Sequence, residues 1–251
     1  MNSELSVFIN PVKVAVAAAE FIIERSASAI KSKGRFSLVL AGGSTPETSY
    51  SFLADMSKDY GLNWSHIYIF WGDERCVPPQ HPDSNFRMAS KALLDHVPIP
   101  KENIFRMQGE VIPDKAAIAY EKAIRTFFSI DPNSMGESLP SFDLILLGLG
   151  EDGHIASLFP KSPSLNETKK WVIAVDHTQP PPPIIPRLTL SLPLINAANE
   201  ILFLATGQNK ARIFQKTLKD SKEENLPVQL IQPSNGRIFW YVDQSAASLN
   251  K

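Results

Sequence analysis

The segment from residue 144 to residue 160, LILLGLGEDGHIASLFP, constrains the fold of this chain more than any other. Its first five residues are apolar or small on both faces, as in a central strand that a parallel sheet buries on both sides. Glycines follow at once and allow a tight turn after the strand. Because open α/β sheets bind ligands beyond the carboxyl ends of their strands, we expect Asp152 and His154 to face a ligand. An ordinary solvated loop is the alternative.

Apolar strand patterns alternate with helical patterns along the rest of the chain. We predict strands at 5–9, 36–41, 66–71, 144–148, 171–175, 201–205 and 237–242, and helices at 11–30, 83–95, 113–128 and 208–218. Strands separated by helices imply right-handed βαβ crossovers. The sequence therefore predicts an α/β fold in which helices flank a mostly parallel central sheet, formed by residues 1–251 as a single domain.

Composition limits the classes of protein to which this chain can belong. With 43% hydrophobic residues it can bury a substantial core, and a formal net charge of -1 supplies no basic surface for nucleic acid or an anionic membrane. Cys76 is the only cysteine, so no intrachain disulfide can form. The start, MNSELSVFINPVK, contains neither a basic n-region nor a long apolar stretch. We expect a cytoplasmic protein that binds neither nucleic acid nor membranes.

The strand pattern at 36–41 runs into a glycine pair and a marked helix start. Ser44 with Glu47 forms a capping-box pattern, and Thr45 before Pro46 is an alternative cap. Either cap leaves backbone N–H groups free at the positive end of the helix dipole, which suits a phosphate; a well-capped helix with nothing bound is the alternative. The glycine spacing matches neither nucleotide fingerprint, so a phosphomonoester is the simpler ligand. The predicted phosphate-binding residues here are Gly42, Gly43, Ser44 and Thr45.

Charged residues also follow the strand pattern at 66–71. Asp73 and Arg75, with Glu74 between them, come directly after its end, where they either form a solvated turn or converge on the same crevice as His154. In the segment HPDSN, the Asp83 or Ser84 side chain is expected to cap the next helix. Cys76, Trp64 and Trp71 are interpreted as core residues.

Two basic residues lie in later loops. Arg187 follows the proline-rich run 177–186, which we interpret as a stiff extended connection and a spacer, and Lys210 lies at the start of the last predicted helix. A guanidinium or an ammonium suits phosphate oxygens, although isolated basic residues are usually solvated. The five histidines show no paired spacing of the kind that zinc sites use, so we expect no metal site.

Five motifs in order along the chain carry a family resemblance: LAGGSTP at 40–46, WGDERCVPPQHPDSNFRM at 71–88, LLGLGEDGHIASLFP at 146–160, PRLTLSLPLINAA at 186–198 and ATGQNKA at 205–211. With them the chain resembles the family of 6-phosphogluconolactonases and glucosamine-6-phosphate isomerases/deaminases. The resemblance implies a Rossmann-like three-layer α/β fold and hydrolysis of 6-phospho-D-glucono-1,5-lactone to 6-phosphogluconate in the oxidative pentose phosphate pathway. It implies no organic cofactor.

One position separates the two branches of that family. The amino-sugar isomerases resemble this loop but continue with Phe-Asn-Glu-Pro, whose glutamate assists ring opening, whereas this chain has Ser157, Leu158, Phe159 and Pro160. A phenylalanine cannot transfer protons. Lactone hydrolysis needs only an activated water, a stabilised oxyanion and a proton for the leaving oxygen. The loop therefore favours the lactonase.

The expected catalytic group is built on His154, which would activate water and then protonate the ring oxygen. Either Asp152 or Asp73 would orient the imidazole, and Arg75 would neutralise developing charge or hold Asp73. The phosphate would be bound by residues of the 42–45 loop together with Arg187 and Lys210.

Two other functions are also compatible with the sequence. They are a glucosamine-6-phosphate isomerase/deaminase and a catalytically silent sugar-phosphate sensor, since related folds occur in regulators. The small-molecule lactone is the expected partner. A monomer is the default expectation for the oligomeric state, with a dimer as the alternative.

Overall fold

The computed structural model describes residues 3–131, 139–178, 180–219 and 226–249. Its centre is a six-stranded sheet in which every neighbouring pair is parallel, in the order β1-β9-β8-β5-β2-β3. The strands of this sheet are β1 (Ser3–Phe8), β2 (Phe36–Leu40), β3 (Ile67–Trp71), β5 (Leu144–Gly148), β8 (Glu200–Ala205) and β9 (Arg237–Asp243). The predicted mostly parallel central sheet is therefore confirmed.

The strand at 144–148 is central, as its apolar run predicts. β5 pairs with β2 through Leu38 and Leu144 and with β8 through Ile145 and Ile201. All four of these side chains are fully buried. Burial on both faces removes the polar alternation of a half-exposed strand, which is why the pattern reads as a continuous apolar run.

The helices that accompany the sheet are α1 (Pro11–Lys33), α2 (Ser44–Asp59), α3 (Asn85–Ala92), α4 (Pro113–Phe127), α5 (Leu192–Asn196) and α6 (Ala211–Leu218). In α1, the Asn10 side chain accepts from the Lys13 N–H, Pro11 opens the first turn and Gly34 ends the helix with a φ of 79°. These are ordinary start and stop signals. The predicted helix at 83–95 is shorter than expected, because its last turn is a separate 3-10 turn at Leu94–His96.

A second sheet departs from the prediction. β4 (Asp73–Arg75), β7 (Arg187–Leu190) and β6 (Val172–Val175) form a three-stranded antiparallel sheet in the order β4-β7-β6. The strand expected at 171–175 exists, but it lies in this sheet and not in the parallel one. The other two strands are short and carry charged or polar residues, so their pairing depends on the partner strand rather than on their own pattern.

Candidate active site

A crevice opens where the order of the parallel strands reverses. From β2 the chain passes outward to β3, whereas β5 lies on the other side of β2 and leads on to β8 and β9. At this switch point the backbone segments that follow β2 and β5 lie close together. A Cβ atom added to Gly148 would be 3.9 Å from the carbonyl oxygen of Gly42. The carboxyl ends of strands at a switch point are where open α/β sheets bind ligands.

The loop between β2 and α2 forms one wall of the crevice. Gly43, with a φ of 105°, is the N-cap of α2, and no side chain caps the helix. The predicted caps at Ser44 and Thr45 are therefore wrong: the glycine lets the chain enter the helix one residue earlier, so both residues lie inside it. The Tyr50 hydroxyl fixes the loop by accepting from the Ala41 N–H and donating to the Ala41 carbonyl, both at 2.9 Å. The uncapped N–H groups of the first turn remain available to a ligand.

The loop after β5 carries a paired histidine and aspartate. His154 Nδ1 lies 2.6 Å from Asp152 Oδ1, which also accepts from the His154 backbone N–H at 3.1 Å. A carboxylate accepts the proton of Nδ1–H and so leaves the lone pair of a neutral imidazole on Nε2. The ring lies against Gly150, where an added Cβ would be 2.1 Å from Nδ1. The glycine is required here for space.

The Asp152 carboxylate is held in its charged form. Burial would raise its pKa, but the hydrogen bonds and charge of His154 outweigh burial and lower it below the usual value. The side chain of His154 is 24% exposed, so the imidazole is neither turned into the core nor free in solvent. His154 can therefore accept a proton at Nε2, and its hydrogen bond to Asp152 at Nδ1 fixes its orientation.

Asp73 performs a different task from Asp152. It is buried and accepts from Ser157 Oγ at 2.6 Å and from Asn85 Nδ2 at 3.2 Å. The alternative in which Asp73 orients the imidazole is therefore corrected, because its hydrogen bonds connect the β3–β4 turn to the β5 loop and α3. Ser157 and Asn85 were not predicted from the sequence, since contacts across 84 and 12 positions leave no local signal.

Glu74 is part of the support of the site. Its carboxylate accepts from the backbone N–H groups of Arg75, Asn85 and Phe86 and from Ser84 Oγ. It therefore binds the start of α3, while Ser84 Oγ caps the same helix by accepting from the Arg87 N–H, as predicted for one of the two candidate caps. Burial raises the pKa of Glu74, and the backbone hydrogen bonds oppose this shift.

Two arginines of the site, Arg75 and Arg187, are cross-strand partners on the small antiparallel sheet. Arg75 Nη1 donates to the Asp83 carbonyl at 2.6 Å, so its anchor is this loop and not Asp73. Arg187 donates to the carbonyls of Ile185 and Pro183 at 3.1 and 2.8 Å. Burial lowers the pKa of Arg187, opposed chiefly by the charge of Asp73.

Lys210 approaches the crevice from the loop after β8, at the end of a 3-10 turn, Gln208–Lys210, that precedes α6. Its Nζ lies 4.0 Å from Glu151 Oε1, which accepts from Asn209 Nδ2 at 2.7 Å. Burial lowers the pKa of Lys210, and the charges of Glu151 and Asp152 partly oppose this shift. The ammonium is thus half-buried beside a carboxylate that it does not closely contact.

These loops enclose one cavity of about 810 Å³. The proline segment 180–182 forms part of its wall, so the interpretation of this run as a mere spacer is wrong; position 179 lies outside the described residues. Every residue predicted for the site lines this cavity. These are Gly42, Gly43, Ser44, Thr45, Asp73, Arg75, Asp152, His154, Arg187 and Lys210.

Within the described ranges, no group of three or more His, Cys, Asp or Glu side chains is arranged to hold a metal ion. Over the same residues, no helix has the length and apolar character needed to cross a membrane.

Known proteins resemble this chain in both sequence and fold. The 6-phosphogluconolactonase of Synechocystis sp. is 38% identical over 248 residues, which cover 98% of this chain and 98% of the relative. That of Homo sapiens is 35% identical over 247 residues, covering 98% and 93%. The structure of 6-phosphogluconolactonase from Trypanosoma brucei superposes with a TM-score of 0.83 at 29% identity, covering 98% of both chains.

A second solved structure agrees. The 6-phosphogluconolactonase of Thermotoga maritima gives a TM-score of 0.81 at 29% identity and covers 96% of this chain and 99% of its own. The sequence profile described as glucosamine-6-phosphate isomerases/6-phosphogluconolactonase matches residues 10–240. Since the match spans most of the sequence and includes every strand that builds the cavity, the chain belongs to the glucosamine-6-phosphate isomerase/6-phosphogluconolactonase family.

Proposed function

We infer that this chain hydrolyses 6-phospho-D-glucono-1,5-lactone to 6-phospho-D-gluconate, the second step of the oxidative pentose phosphate pathway. The observation that carries the proposal is a single cavity in which the His154–Asp152 pair and the cations Arg187 and Lys210 occur together. A proton acceptor beside a positively charged end suits an ester with an anionic tail. The full-length relatives named 6-phosphogluconolactonase support the same reaction.

In the proposed mechanism, His154 Nε2 removes a proton from water while the water oxygen attacks the lactone carbonyl. The tetrahedral intermediate then collapses, the bond between the carbonyl carbon and the ring oxygen breaks, and the imidazolium returns its proton to that oxygen. The product acid ionises in solution. Asp152 keeps the imidazole in the tautomer that accepts at Nε2 and stabilises the imidazolium that forms.

The cations divide between the two ends of the substrate. Arg75, held by the Asp83 carbonyl, is proposed to stabilise negative charge that develops at the reacting centre. Arg187, Lys210 and the N-terminus of α2, including Gly43 and Ser44, are proposed to bind the 6-phosphate and so fix the carbonyl near His154.

Phe159 supports hydrolysis over amino-sugar isomerisation. Its ring lies 4.9 Å from the imidazole of His154 and presents no group that could carry a proton to a sugar ring oxygen. Isomerisation needs a base for the C2 proton together with acid assistance at that oxygen. At the position where the isomerases carry their glutamate, this loop therefore offers no acid.

The direct test is a buffered assay of 6-phosphogluconolactone loss from which spontaneous hydrolysis is subtracted. We expect loss proportional to protein concentration, and no ammonia when glucosamine 6-phosphate is supplied instead. Ammonia release would establish the isomerase/deaminase branch. Binding of sugar phosphates without turnover of either compound would establish a sensor.

Location and assembly form the remaining part of the proposal. We propose a monomeric enzyme acting in the cytoplasm, with residues 1–251 as one catalytic domain. The absence of any second cysteine to pair with Cys76 is compatible with a reducing compartment. Light scattering after size exclusion tests the monomer, with a dimer as the alternative, and cell fractionation tests the compartment.

A further inference from the structure

Three aromatic rings lie in a row beside the cavity. The imidazole of His154 contacts the ring of Phe159, with centroids 4.9 Å apart and planes inclined by 45°. Phe159 in turn stacks on His177, with centroids 4.3 Å apart and planes inclined by 14°. His177 is only 6% exposed and does not line the cavity, so it acts on the site only through its neighbours.

The far edge of His177 is bonded to the proline segment. Its Nε2 lies 2.6 Å from the carbonyl oxygen of Pro181, and because a carbonyl only accepts, this nitrogen carries the proton. Pro181 lines the cavity, and the carbonyl of Pro183, two residues further on, accepts from Arg187. His177 therefore contacts both Phe159, which packs against His154, and the proline segment, which accepts a hydrogen bond from Arg187.

The hydrogen bond to Asp152 fixes one atom of the His154 imidazole. This hydrogen bond places Nδ1, but small changes in the two side-chain torsions of His154 would still tilt the ring and displace Nε2. A second contact from the Phe159 ring restricts this rotation. Displacements of about 1 Å in a catalytic group can cost as much as 10²-fold in rate.

We propose that Phe159 and His177 are two positioning residues with separable effects. Phe159 sets the tilt of the His154 imidazole and therefore acts on kcat. The His177 ring supports that tilt through its stack on Phe159, whereas the His177 hydrogen bond to Pro181 sets the proline segment and Arg187 and therefore acts on KM. This inference rests on the proposed lactonase function.

One test variant changes Phe159, and two others separate the ring of His177 from its N–H donor. Phe159→Leu removes the stacked ring, and we expect kcat to fall about 10-fold with KM within about twofold of wild type. His177→Phe keeps the stack and removes the donor, and we expect KM to rise about fivefold while kcat is retained. His177→Gln keeps a donor and removes the ring, so the expected loss lies in kcat and not in KM.

Matched controls remove similar contacts away from the cavity. Phe105→Leu breaks a stack on Phe70 with centroids 4.6 Å apart, and His96→Phe breaks a 2.8 Å hydrogen bond to the Lys91 carbonyl. Both controls are expected to leave kcat and KM unchanged. If the three test variants only lower Tm, as the controls can, or change kcat and KM together, the two rings are core packing and the proposal is wrong.

Nitrogen-detected NMR of the imidazoles provides a readout that does not need turnover. We expect the Nδ1-protonated form of His154 to be well defined in the wild type and its signals to broaden in Phe159→Leu, with Phe159→Met as the second variant if the first does not fold. Unchanged signals in the folded variant would overturn the positioning role. A wild-type protein with sharp signals but no lactonase activity would instead refute the proposed function alone.

Discussion

The two edges of the central sheet each carry a cavity, of about 810 Å³ at the carboxyl edge and about 780 Å³ at the amino edge, and both are lined by cations and carboxylates. At the amino edge every pairing is between opposite charges. Glu200 bridges Arg25, at 2.7 Å, and Arg237, while Lys33 is bonded to Asp143. Each of these three cations is therefore already bonded to a carboxylate of the protein, which weakens its attraction for an anionic ligand.

At the carboxyl edge the guanidinium groups are bonded to neutral partners instead. Arg75 and Arg187 donate to backbone carbonyls, and Lys210 remains 4.0 Å from Glu151. A carbonyl orients a cation without cancelling its charge, so positive charge stays available to a ligand. Cavity size does not distinguish the two edges; the kind of atom that accepts from the guanidinium groups does.

The largest expected effect tests whether proton transfer occurs only at the carboxyl edge. His154→Ala should lower kcat by about 10²-fold or more with substrate binding retained, because the proton acceptor is lost and the cations remain. His66→Ala is the control, since His66 is bonded to the Gly34 carbonyl just before β3 at the amino edge. Steady-state kinetics measures both. Equal activity of His154→Ala and wild type would reject the assignment.

A smaller effect tests which edge binds the phosphate. Lys210→Ala should raise KM for the phosphorylated lactone about 10-fold, the size expected for a lost charge-assisted hydrogen bond, with kcat largely retained. Phosphate-free gluconolactone should be an equally poor substrate for parent and variant. Lys33→Ala removes a lysine from the amino edge and should leave KM unchanged. A reversed result would place the phosphate at the other cavity.

The amino edge should show its effect in stability. Glu200→Gln removes the buried counter-charge that Arg25 and Arg237 share and leaves Arg25 only the exposed Glu24, so we expect the free energy of unfolding in urea to fall by about 1–3 kcal/mol. The values of kcat and KM should not change. Glu24→Gln is the matched control, because Glu24 also contacts Arg25 but is 73% exposed. Similar losses in both variants would show that the bridging position of Glu200 is unimportant.

The smallest effect is a pH dependence of phosphate binding. Lys210 is proposed to bind the phosphate as a cation, and burial lowers its pKa, so binding should weaken as pH rises at values where an exposed lysine would still be charged. Titration of the unhydrolysable product 6-phosphogluconate between roughly pH 7 and 10 measures this. Lys210→Arg should flatten the dependence. An identical profile in that variant would assign the titration to another group.

Local sequence signals predicted the parts of the molecule whose chemistry is contained in a few adjacent residues. The run at 144–148 predicted a central strand, and the glycine loop after it predicted that His154 would lie at the ligand-binding edge of the sheet. The helix start at Asn10 and Pro11 followed from capping rules. Burial on both faces and backbone capping act over a few residues, so the sequence alone reveals them.

Tertiary structure decided everything that depends on distant pairing. The fold distinguishes the two aspartates, because Asp73 is hydrogen-bonded to Ser157 whereas Asp152 is hydrogen-bonded to His154. It also pairs Arg75 with Arg187 in the antiparallel sheet. It also turned the proline run into a cavity wall. The sequence by itself determined where the strands of the parallel sheet end. Only the packed chain determined their partners, because contacts between distant segments form when the whole core is assembled.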